Sequence, residues 1–362
     1  MRVPFNDLSR ASASSADLNE AFARVAGRGW FVLGPEVEAF EREFAAYCGT
    51  RHCVGVANGS DALELALRAL GVQGGDEVVT VANAAMYATL AILSCGATPV
   101  YADVDDTTLT LSPVSLAAAI TVKTRAIVVT HLYGRLAAME AIERAAGKVP
   151  IVEDCAQAHG ARSARGGAGA LGALGCFSFY PTKNLAALGD GGAVTTSDEH
   201  LARRVRALRQ YGWEQKYRVT LSGGRNSRLD ELQAAILRGR LPRLDQKNAR
   251  RRAIGRAYFE RIRHPDIDVL APPPGEEGVQ HLAVVRSRRR DGLRGHLERH
   301  GIATDIHYPI PDHRQPITRT ASRVSLAVTE RAAEEVLSLP CFPELADAEL
   351  AHVIEACNAW RA

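Results

Sequence analysis

The amino-acid sequence predicts a doubly wound α/β domain followed by a smaller α+β domain. Short apolar segments typical of buried strands alternate with amphipathic helical segments from about residue 53 to residue 200. After Asn226 this alternation gives way to a long, basic, helical stretch and then to a short mixed region. Because parallel strands need helical crossovers, the alternation favours a sheet with helices on both faces. A length of 362 residues is enough for two domains.

Four segments carry the strand pattern of the large domain. They read VVTVA (residues 78–82), TPVYADV (98–104), AIVVTHL (126–132) and PIVEDCA (150–156). Gly, Pro or Asp residues bound these segments, as is typical of buried strands in a parallel sheet. In the helical segment DALELALRALG, Leu63, Leu67 and Leu70 share one face, and Gly71 supplies a stop signal.

The second half of the chain has a different pattern. Residues 228–262 form a long basic helical stretch with a predicted break near Pro242. After the PPPG segment at 272–275 come HLAVVR, which resembles a strand, and DGLRGHLERHG, which has a helical pattern. We therefore predict an N-terminal segment and large domain over 1–240 and a small C-terminal domain over 241–362.

Composition limits the classes of function. The net charge of +3 is small for this length, and no zinc-binding spacing supports a nucleic-acid surface. The seven cysteines are scattered and form no C-x-x-C pair, which favours a reduced cytoplasmic protein. The first residues lack the apolar segment of a signal peptide, and no apolar run is long enough to span a bilayer. We expect a cytoplasmic protein that binds neither nucleic acid nor membrane, and no metal.

The segment ANGSDALELAL places Asn58, Gly59 and Ser60 directly before a helix. The free N–H groups at a helix N-terminus attract anions, phosphate above all, and glycine lets an anion approach the backbone. Ser60 could instead serve only as the helix N-cap. The segment alone leaves both interpretations open.

In the segment VEDCAQAHGA, Asp154 ends a predicted strand and Gln157 follows three residues later. Ligands of open α/β sheets bind at the carboxyl ends of the strands. A buried aspartate there needs a cationic or hydrogen-bonding partner, for which a protonated pyridine nitrogen is suitable. A structural aspartate that caps the next turn is the alternative.

Lys183 lies between the strand-like CFSFY and a glycine-rich turn that leads into GAVTT. A lysine amine reacts with carbonyl groups when its surroundings lower its pKa. Ser178, five residues earlier, could donate a hydrogen bond to phosphate. A phosphate-binding turn, an aspartate at a strand end and a downstream lysine are together the groups that bind pyridoxal 5'-phosphate.

The chain resembles the sugar aminotransferases of the DegT/DnrJ/EryC1/StrS family over nearly its whole length. The matching segments are GWFVLGPEVEAFEREFAAYCG, NGSDALELALRALG, GDEVVT, THLYG, VEDCAQAHGA, FSFYPTKNLAALGDGGA, YGWEQKY, NSRLDELQAAIL and IHYPIP. This resemblance implies the fold type I architecture of aspartate aminotransferase: a large doubly wound mixed-sheet domain and a smaller C-terminal α+β domain. It also implies a homodimer with active sites shared between the subunits.

The resemblance also implies roles for individual residues. Lys183 would be the catalytic residue that holds pyridoxal 5'-phosphate, Asp154 would pair with the pyridine nitrogen, and Gln157 would lie near the 3-hydroxyl. The implied phosphate ligands are Gly59, Ser60 and Ser178, joined by Asn226 from the second subunit. Arg228 is a candidate for the donor carboxylate, and the implied sugar-pocket residues are Tyr180, Lys216, His307 and Tyr308. Met86 occupies the position where the family usually has an aromatic ring against the cofactor, and Tyr87 could take that place instead.

The implied reaction moves an amino group from L-glutamate to a nucleotide-linked keto-6-deoxyhexose, most often linked to dTDP. The segment YGWEQKY resembles enzymes that act at C-3, so we favour C-3 over C-4. A related sugar dehydratase would have histidine in place of Lys183. A non-catalytic regulator of the same fold is the alternative from another class, and it could dispense with the lysine.

Overall fold

The computed structural model describes residues 1–12, 16–318 and 325–361. These residues form a seven-stranded sheet and three smaller sheets. The strands are β1 His52–Val56, β2 Glu77–Val81, β3 Thr98–Ala102, β4 Thr124–Thr130, β5 Ile151–Asp154, β6 Arg162–Ser163, β7 Gly166–Gly167, β8 Leu174–Ser178, β9 Gly192–Thr196, β10 Trp213–Gln215, β11 Arg218–Val219, β12 Asp268–Val269, β13 Ala283–Arg286 and β14 Val336–Leu339.

Helices connect these strands and pack against the large sheet or the small C-terminal sheet. They are α1 Leu8–Ser12, α2 Ala16–Arg28, α3 Pro35–Cys48, α4 Gly59–Ala69, α5 Tyr87–Ser94, α6 Pro113–Ala119, α7 Met139–Ala146, α8 Glu199–Leu208, α9 Glu231–Arg240, α10 Leu244–Arg261, α11 Arg290–Arg299, α12 Ala327–Glu335 and α13 Asp347–Asn358. The break predicted near Pro242 is confirmed as a short 3₁₀ turn, Leu241–Arg243, between α9 and α10.

The large sheet has the strand order β1-β9-β8-β5-β4-β2-β3. Strands β8, β5, β4, β2 and β3 are parallel neighbours, whereas β9 runs antiparallel to both β8 and β1. Each of the four predicted strand segments overlaps one of these strands, although β2 and β4 begin one and two residues earlier than predicted. The sheet is therefore mixed, with β9 as its antiparallel member, as the predicted fold class requires.

Both faces of the large sheet are buried under helices. In β4, Ala126 and Val128 belong to the apolar cluster beneath α4, α5 and α8, whereas Ile127 and Val129 belong to the cluster beneath α6 and α7. Successive side chains of a strand point to opposite faces, so a strand covered on both sides reads as a continuous apolar run. This is why the strand segments were recognisable in the sequence.

The C-terminal part is built on the antiparallel sheet β12-β13-β14, against which α10, α11 and α13 pack. Its core also includes Val3, which pairs with Ile302. The chain therefore reaches the C-terminal core at both of its ends. The division at residue 240 stays a prediction.

Candidate active site

A cavity of about 630 Å³ lies at the carboxyl ends of three adjacent parallel strands. Thr130, Asp154 and Ser178 are the last residues of β4, β5 and β8, and all three line it. The sequence-predicted residues along its wall are Gly59, Ser60, Asp154, Gln157, Ser178, Tyr180, Lys183, His307 and Tyr308. Open α/β sheets bind ligands at this edge. A second cavity, of about 400 Å³, lies behind the Lys183 loop and contacts neither Asp154 nor Ser178.

The N-terminus of α4 forms one wall of the cavity. Asn58 is the N-cap, because its side-chain oxygen accepts a hydrogen bond from the N–H of Asp61 at 2.8 Å. Ser60 is therefore not the cap, and its exposed side chain lines the cavity. The first-turn N–H groups of a helix have no partner inside the helix, so this wall is suited to an anion.

Gly59 and Gly192 allow the backbone to pack closely behind this wall. A β-carbon at Gly59 would lie 2.6 Å from Ser178 Cβ, and one at Gly192 would lie 2.3 Å from the carbonyl oxygen of Asn58. Real β-carbons do not approach other atoms so closely. Glycine at both positions therefore brings the end of β8, with the Ser178 hydroxyl, next to the start of α4.

Asp154 is a buried carboxylate with few hydrogen-bond donors around it. One oxygen accepts a hydrogen bond from the N–H of Ala156 at 3.1 Å, and the other accepts one from the Thr130 hydroxyl at 3.3 Å. Burial raises the pKa of Asp154, while the Ala156 N–H and the positive charge of Lys183 partly offset that effect. A cationic ring nitrogen in the cavity would stabilise the charged form.

A second buried acid, Glu153, precedes Asp154 in β5 and ties this strand to the 169–172 segment. Glu153 accepts hydrogen bonds from the N–H groups of Gly169, Leu171 and Gly172, and from His131 Nε2 at 2.9 Å. The Nδ1 atom of His131 accepts a hydrogen bond from a backbone N–H, so its Nε2 carries the proton. Cys155 lies within 4.8 Å of this pair. Hydrogen bonds account for the carboxylate, which therefore needs no metal ion.

Lys183 lies in the loop between β8 and β9, where its N–H donates to the carbonyl of Tyr180 at 2.8 Å. Burial lowers the pKa of its amine, although the nearby Asp154 carboxylate acts in the opposite direction. No residue in the described part of the chain forms a hydrogen bond with its Nζ. A lysine in this environment is more nucleophilic near neutral pH than one in water.

A chain of hydrogen bonds joins the two parts of the protein at the cavity. Gln157 accepts from the N–H of Tyr133 at 2.6 Å and donates to the hydroxyl of Tyr308 at 3.0 Å. Tyr133 donates its hydroxyl proton to the carbonyl of His307 at 2.5 Å. The His307 ring bonds with the Ser338 hydroxyl at 2.9 Å. His307 and Tyr308 are thereby fixed against the large sheet.

Met86 does not line this cavity, but Tyr87 does. The N–H of Met86 donates to Asp312 at 2.9 Å, and its side chain is 8% exposed, whereas that of Tyr87 is 49% exposed. Ala85 and Met86 both have positive φ angles, 57° and 67°. This left-handed turn is what puts the Tyr87 ring at the wall where the sequence led us to expect Met86.

Three other predicted residues lie outside the wall of the cavity in the single chain: Lys216, Asn226 and Arg228. Lys216 lies at the β10–β11 hairpin, with its ammonium 5.1 Å from the centre of the Tyr217 ring, and Asn226 is exposed. Their contacts with substrate or cofactor stay predictions. Sequence reasoning missed His281, which lines the cavity but lies just before β13 in a segment recognised only as a strand.

The model of the DegT/DnrJ/EryC1/StrS aminotransferase family matches residues 13–358 of the chain. The chain belongs to this family. A Streptomyces venezuelae relative, dTDP-3-amino-3,4,6-trideoxy-alpha-D-glucose transaminase, is 46% identical over 99% of this chain and 96% of its own. A Saccharopolyspora erythraea relative, the erythromycin biosynthesis sensory transduction protein EryC1, is also 46% identical, over 99% of this chain and all of its own.

The crystal structure of S. venezuelae DesV in complex with a ketimine intermediate has a TM-score of 0.95 and 46% identity. It covers 100% of this aminotransferase and 99% of the DesV chain. The predicted family, fold type I architecture and aminotransferase class are thereby confirmed. None of the helices in the described residues of this aminotransferase combines the length and the apolar character that a membrane span needs.

Proposed function

We propose that this aminotransferase uses pyridoxal 5'-phosphate to transfer the amino group of L-glutamate to C-3 of a dTDP-linked keto-6-deoxyhexose. The observation that carries the proposal is the convergence of three groups on one cavity. They are the α4 N-terminus with Gly59 and Ser178, the buried Asp154 carboxylate and the Lys183 amine. The cytoplasmic location stays a prediction.

The residues of the cavity fit this cofactor. Its phosphate suits the wall of unpaired N–H groups and hydroxyls that Gly59, Ser60 and Ser178 form. Its cationic ring nitrogen suits Asp154, because a buried carboxylate whose pKa is raised gains most from a positive partner. Its aldehyde carbon suits the Lys183 amine, because burial lowers the pKa of that amine.

When bound, the cofactor supplies an electron sink for the amino acid's α-carbon. The protein has to hold and move a proton beside that sink. Asp154 keeps the ring nitrogen charged, which maintains the sink. Lys183 Nζ would accept the α-proton of the donor as general base and, in the second half of the reaction, would act as general acid that protonates the sugar carbon receiving the amino group. Its lowered pKa favours the free amine that this role requires.

The substrate assignment rests on the sugar side of the cavity and on the relatives. Tyr180, His307 and Tyr308 line the cavity with groups that can hydrogen-bond with a sugar. The S. venezuelae transaminase is named for a dTDP-linked sugar that carries its amino group at C-3. The segment YGWEQKY contains Lys216, which lies in the hairpin formed by β10 and β11. Its side chain is exposed outside the cavity and can reach a ligand there.

A homodimer is part of this proposal. Large apolar side chains are exposed beside the segment that holds Asn226. Trp30 is 55% exposed and Phe31 is 59% exposed, and the Phe31 carbonyl accepts a hydrogen bond from the N–H of Glu231. An exposed apolar surface of this kind marks an interface. We propose that a second copy packs there and that its Asn226 completes the phosphate-binding wall of the first.

The test is to incubate the purified protein with glutamate and either a dTDP-3-keto or a dTDP-4-keto sugar, and to identify the product by NMR. We expect amination of the 3-keto sugar. Amination of the 4-keto sugar alone would place the reaction at C-4 and overturn the regiochemistry. If neither sugar is aminated by the protein with cofactor bound, the proposed substrate class is overturned.

A regulator without catalytic activity was the alternative that the sequence left open, and one relative is named a sensory transduction protein, EryC1. The chain retains Lys183 and Asp154 together in one cavity, which favours catalysis. The two candidates differ in one optical property. An aminotransferase is yellow when purified and loses that colour on addition of glutamate. A protein whose absorbance does not respond to any amino acid would favour the regulator.

A further inference from the structure

His281 is a buried histidine at the cavity wall whose proton position can be deduced from its neighbours. It is 7% exposed and lines the cavity together with Lys183 and Tyr308. Its Nδ1 atom lies 3.0 Å from the side-chain oxygen of Asn184, the residue that directly follows Lys183. The direction of that hydrogen bond determines what the other ring nitrogen offers to a ligand.

The amide of Asn184 has a defined orientation. Its Nδ2 donates to the Val279 carbonyl at 3.1 Å and to Asn248 Oδ1 at 2.8 Å. Asn248 is itself oriented, since its Nδ2 donates to the carbonyl of His159. Backbone carbonyls only accept, so both amide oxygens are fixed as acceptors. Asn184 Oδ1 must therefore accept from His281 Nδ1–H, which leaves the neutral ring with a lone pair on Nε2.

The imidazole also stays uncharged. Burial is the main cause that holds the pKa of His281 well below its usual range, and the nearby cations Lys183 and Arg251 add to it, with His307 and His159. Arg251 donates to the His281 carbonyl at 3.2 Å, which helps to fix the backbone. Among the described residues none bonds with Nε2. His281 is thus poorly suited to act as an acid and well suited to accept a hydrogen bond.

We propose that His281 Nε2 accepts a hydrogen bond from a ring hydroxyl of the keto sugar and so helps to determine sugar specificity. A lone pair repels the carboxylates of glutamate and the phosphates of the nucleotide, whose oxygens only accept. Sugar hydroxyls can donate. The carbonyl carbon of the sugar must come close to the site of Lys183, so the hydroxyls beside that carbonyl are the donors brought nearest to His281. This inference rests on the proposed function.

Two substitutions distinguish the ring nitrogens. His281→Asn keeps a polar group near Nδ1, which can still bond with Asn184, but leaves none at the position of Nε2. His281→Gln places its amide near Nε2 and gives up the bond with Asn184. Each half of the reaction is measured separately by stopped-flow absorbance of the bound cofactor, first with glutamate and then with the dTDP-keto sugar. His200→Asn on the exposed face of α8 is the matched control.

We expect His281→Asn to lower the rate constant for the sugar half-reaction, kcat/KM, by about tenfold or more, the effect of losing one hydrogen bond to a buried group. His281→Gln should restore most of it. The glutamate half-reaction should stay within about twofold of the wild type in both variants. Normal activity of His281→Asn with impairment of His281→Gln would assign the ring to the Asn184 network and overturn the proposal. An equal fall in both half-reactions would overturn it too.

The wild-type protein supplies a test that does not depend on folding of the variants. With ¹⁵N-labelled histidine, NMR should show an unprotonated Nε2 for His281 whose resonance shifts when the dTDP-amino sugar binds. A protonated Nε2, or no shift at saturation, contradicts the inference. The wild type is assayed with keto sugars beforehand. If it aminates none, the proposed function fails, whereas failure of the His281 results alone leaves that function standing.

Discussion

The backbone of Gly59 lies against Ser178 so closely that a β-carbon at Gly59 would be 2.6 Å from Ser178 Cβ. Gly59 begins α4 and Ser178 ends β8, so this contact joins a helix N-terminus to the carboxyl end of a strand. The two residues are far apart in the sequence. Their contact is what makes one anion-binding wall out of two separate motifs.

Gly59→Ala should weaken the binding of pyridoxal 5'-phosphate by about tenfold or more, because the added methyl forces α4 away from β8 at an overpacking cost of ~1–3 kcal/mol. Titration of the apoprotein, followed by cofactor absorbance, measures this affinity. Gly27→Ala in α2 is the matched control, since an added β-carbon there meets nothing within 4 Å. Equal affinities of the two variants would show that the contact does not shape the cofactor site.

Lys183→Ala should reduce turnover by about 10⁴-fold or more while the protein stays folded, since the amine carries both covalent attachment and proton transfer. Circular dichroism checks the fold. Lys123→Ala, at an exposed position, is the control and should be fully active. Borohydride reduction followed by peptide mapping should label Lys183, and label on any other lysine would contradict the assignment.

Asp154→Asn should reduce turnover more than cofactor affinity. The amide oxygen can keep the bond with the Ala156 N–H, so the shape of the site is retained, but the negative charge beside the ring nitrogen is lost. We expect a fall in kcat of about 10²-fold or more, as for other groups that stabilise charge in a buried site. A near-normal kcat would mean that Asp154 serves only to cap its turn.

Asp312 predicts a pH effect on stability. Burial raises the pKa of this carboxyl from 3.8 to about 6, while the Thr89 hydroxyl and the Met86 N–H act in the opposite direction, as does His313. The folded protein therefore keeps a proton that the unfolded chain releases between pH ~4 and pH ~6. It follows that the contribution of Asp312 to stability falls as pH rises through this window and is constant above it.

In Asp312→Asn this contribution is absent, and the amide can still accept from the N–H of Met86. The free energy of unfolding of the variant, relative to the wild type, should rise by up to about 3 kcal/mol between pH 4 and pH 7. Urea unfolding across that range measures it. Asp266→Asn, at an exposed position, is the control. If the difference in free energy of unfolding between Asp312→Asn and wild type is constant with pH, the pKa of the buried carboxyl is not raised.

Mixed dimers test the shared site. Lys183→Ala and Asn226→Asp should each give homodimers with two defective sites. If Asn226 reaches the phosphate of the other subunit, a mixed dimer has one intact site. Subunit exchange in an equal mixture should then restore about one quarter of the wild-type activity. Native mass spectrometry confirms that mixed dimers form, and their formation without recovered activity would rule out sharing through Asn226.

The sequence supplied the alternation of strands and helices because burial on both faces of a sheet leaves continuous apolar runs. It also supplied the residues along β5, the α4 N-terminus and the Lys183 loop that we propose bind the cofactor, since these lie at strand ends and turns with distinctive residue types. A local motif could not show that Asn58 rather than Ser60 caps α4, because that choice depends on the backbone angles of both residues and not on their chemistry.

By itself, the sequence determined the fold class and the helix break at Pro242, and it supplied the set of groups that we propose bind pyridoxal 5'-phosphate. Only the tertiary structure decided which side chains meet around them. The left-handed turn at Ala85 and Met86 puts Tyr87 at the wall, and the Asn184 amide orients His281 from almost a hundred residues away in the chain. Periodicity reports burial along one element, whereas the meeting of distant elements follows from packing of the whole core.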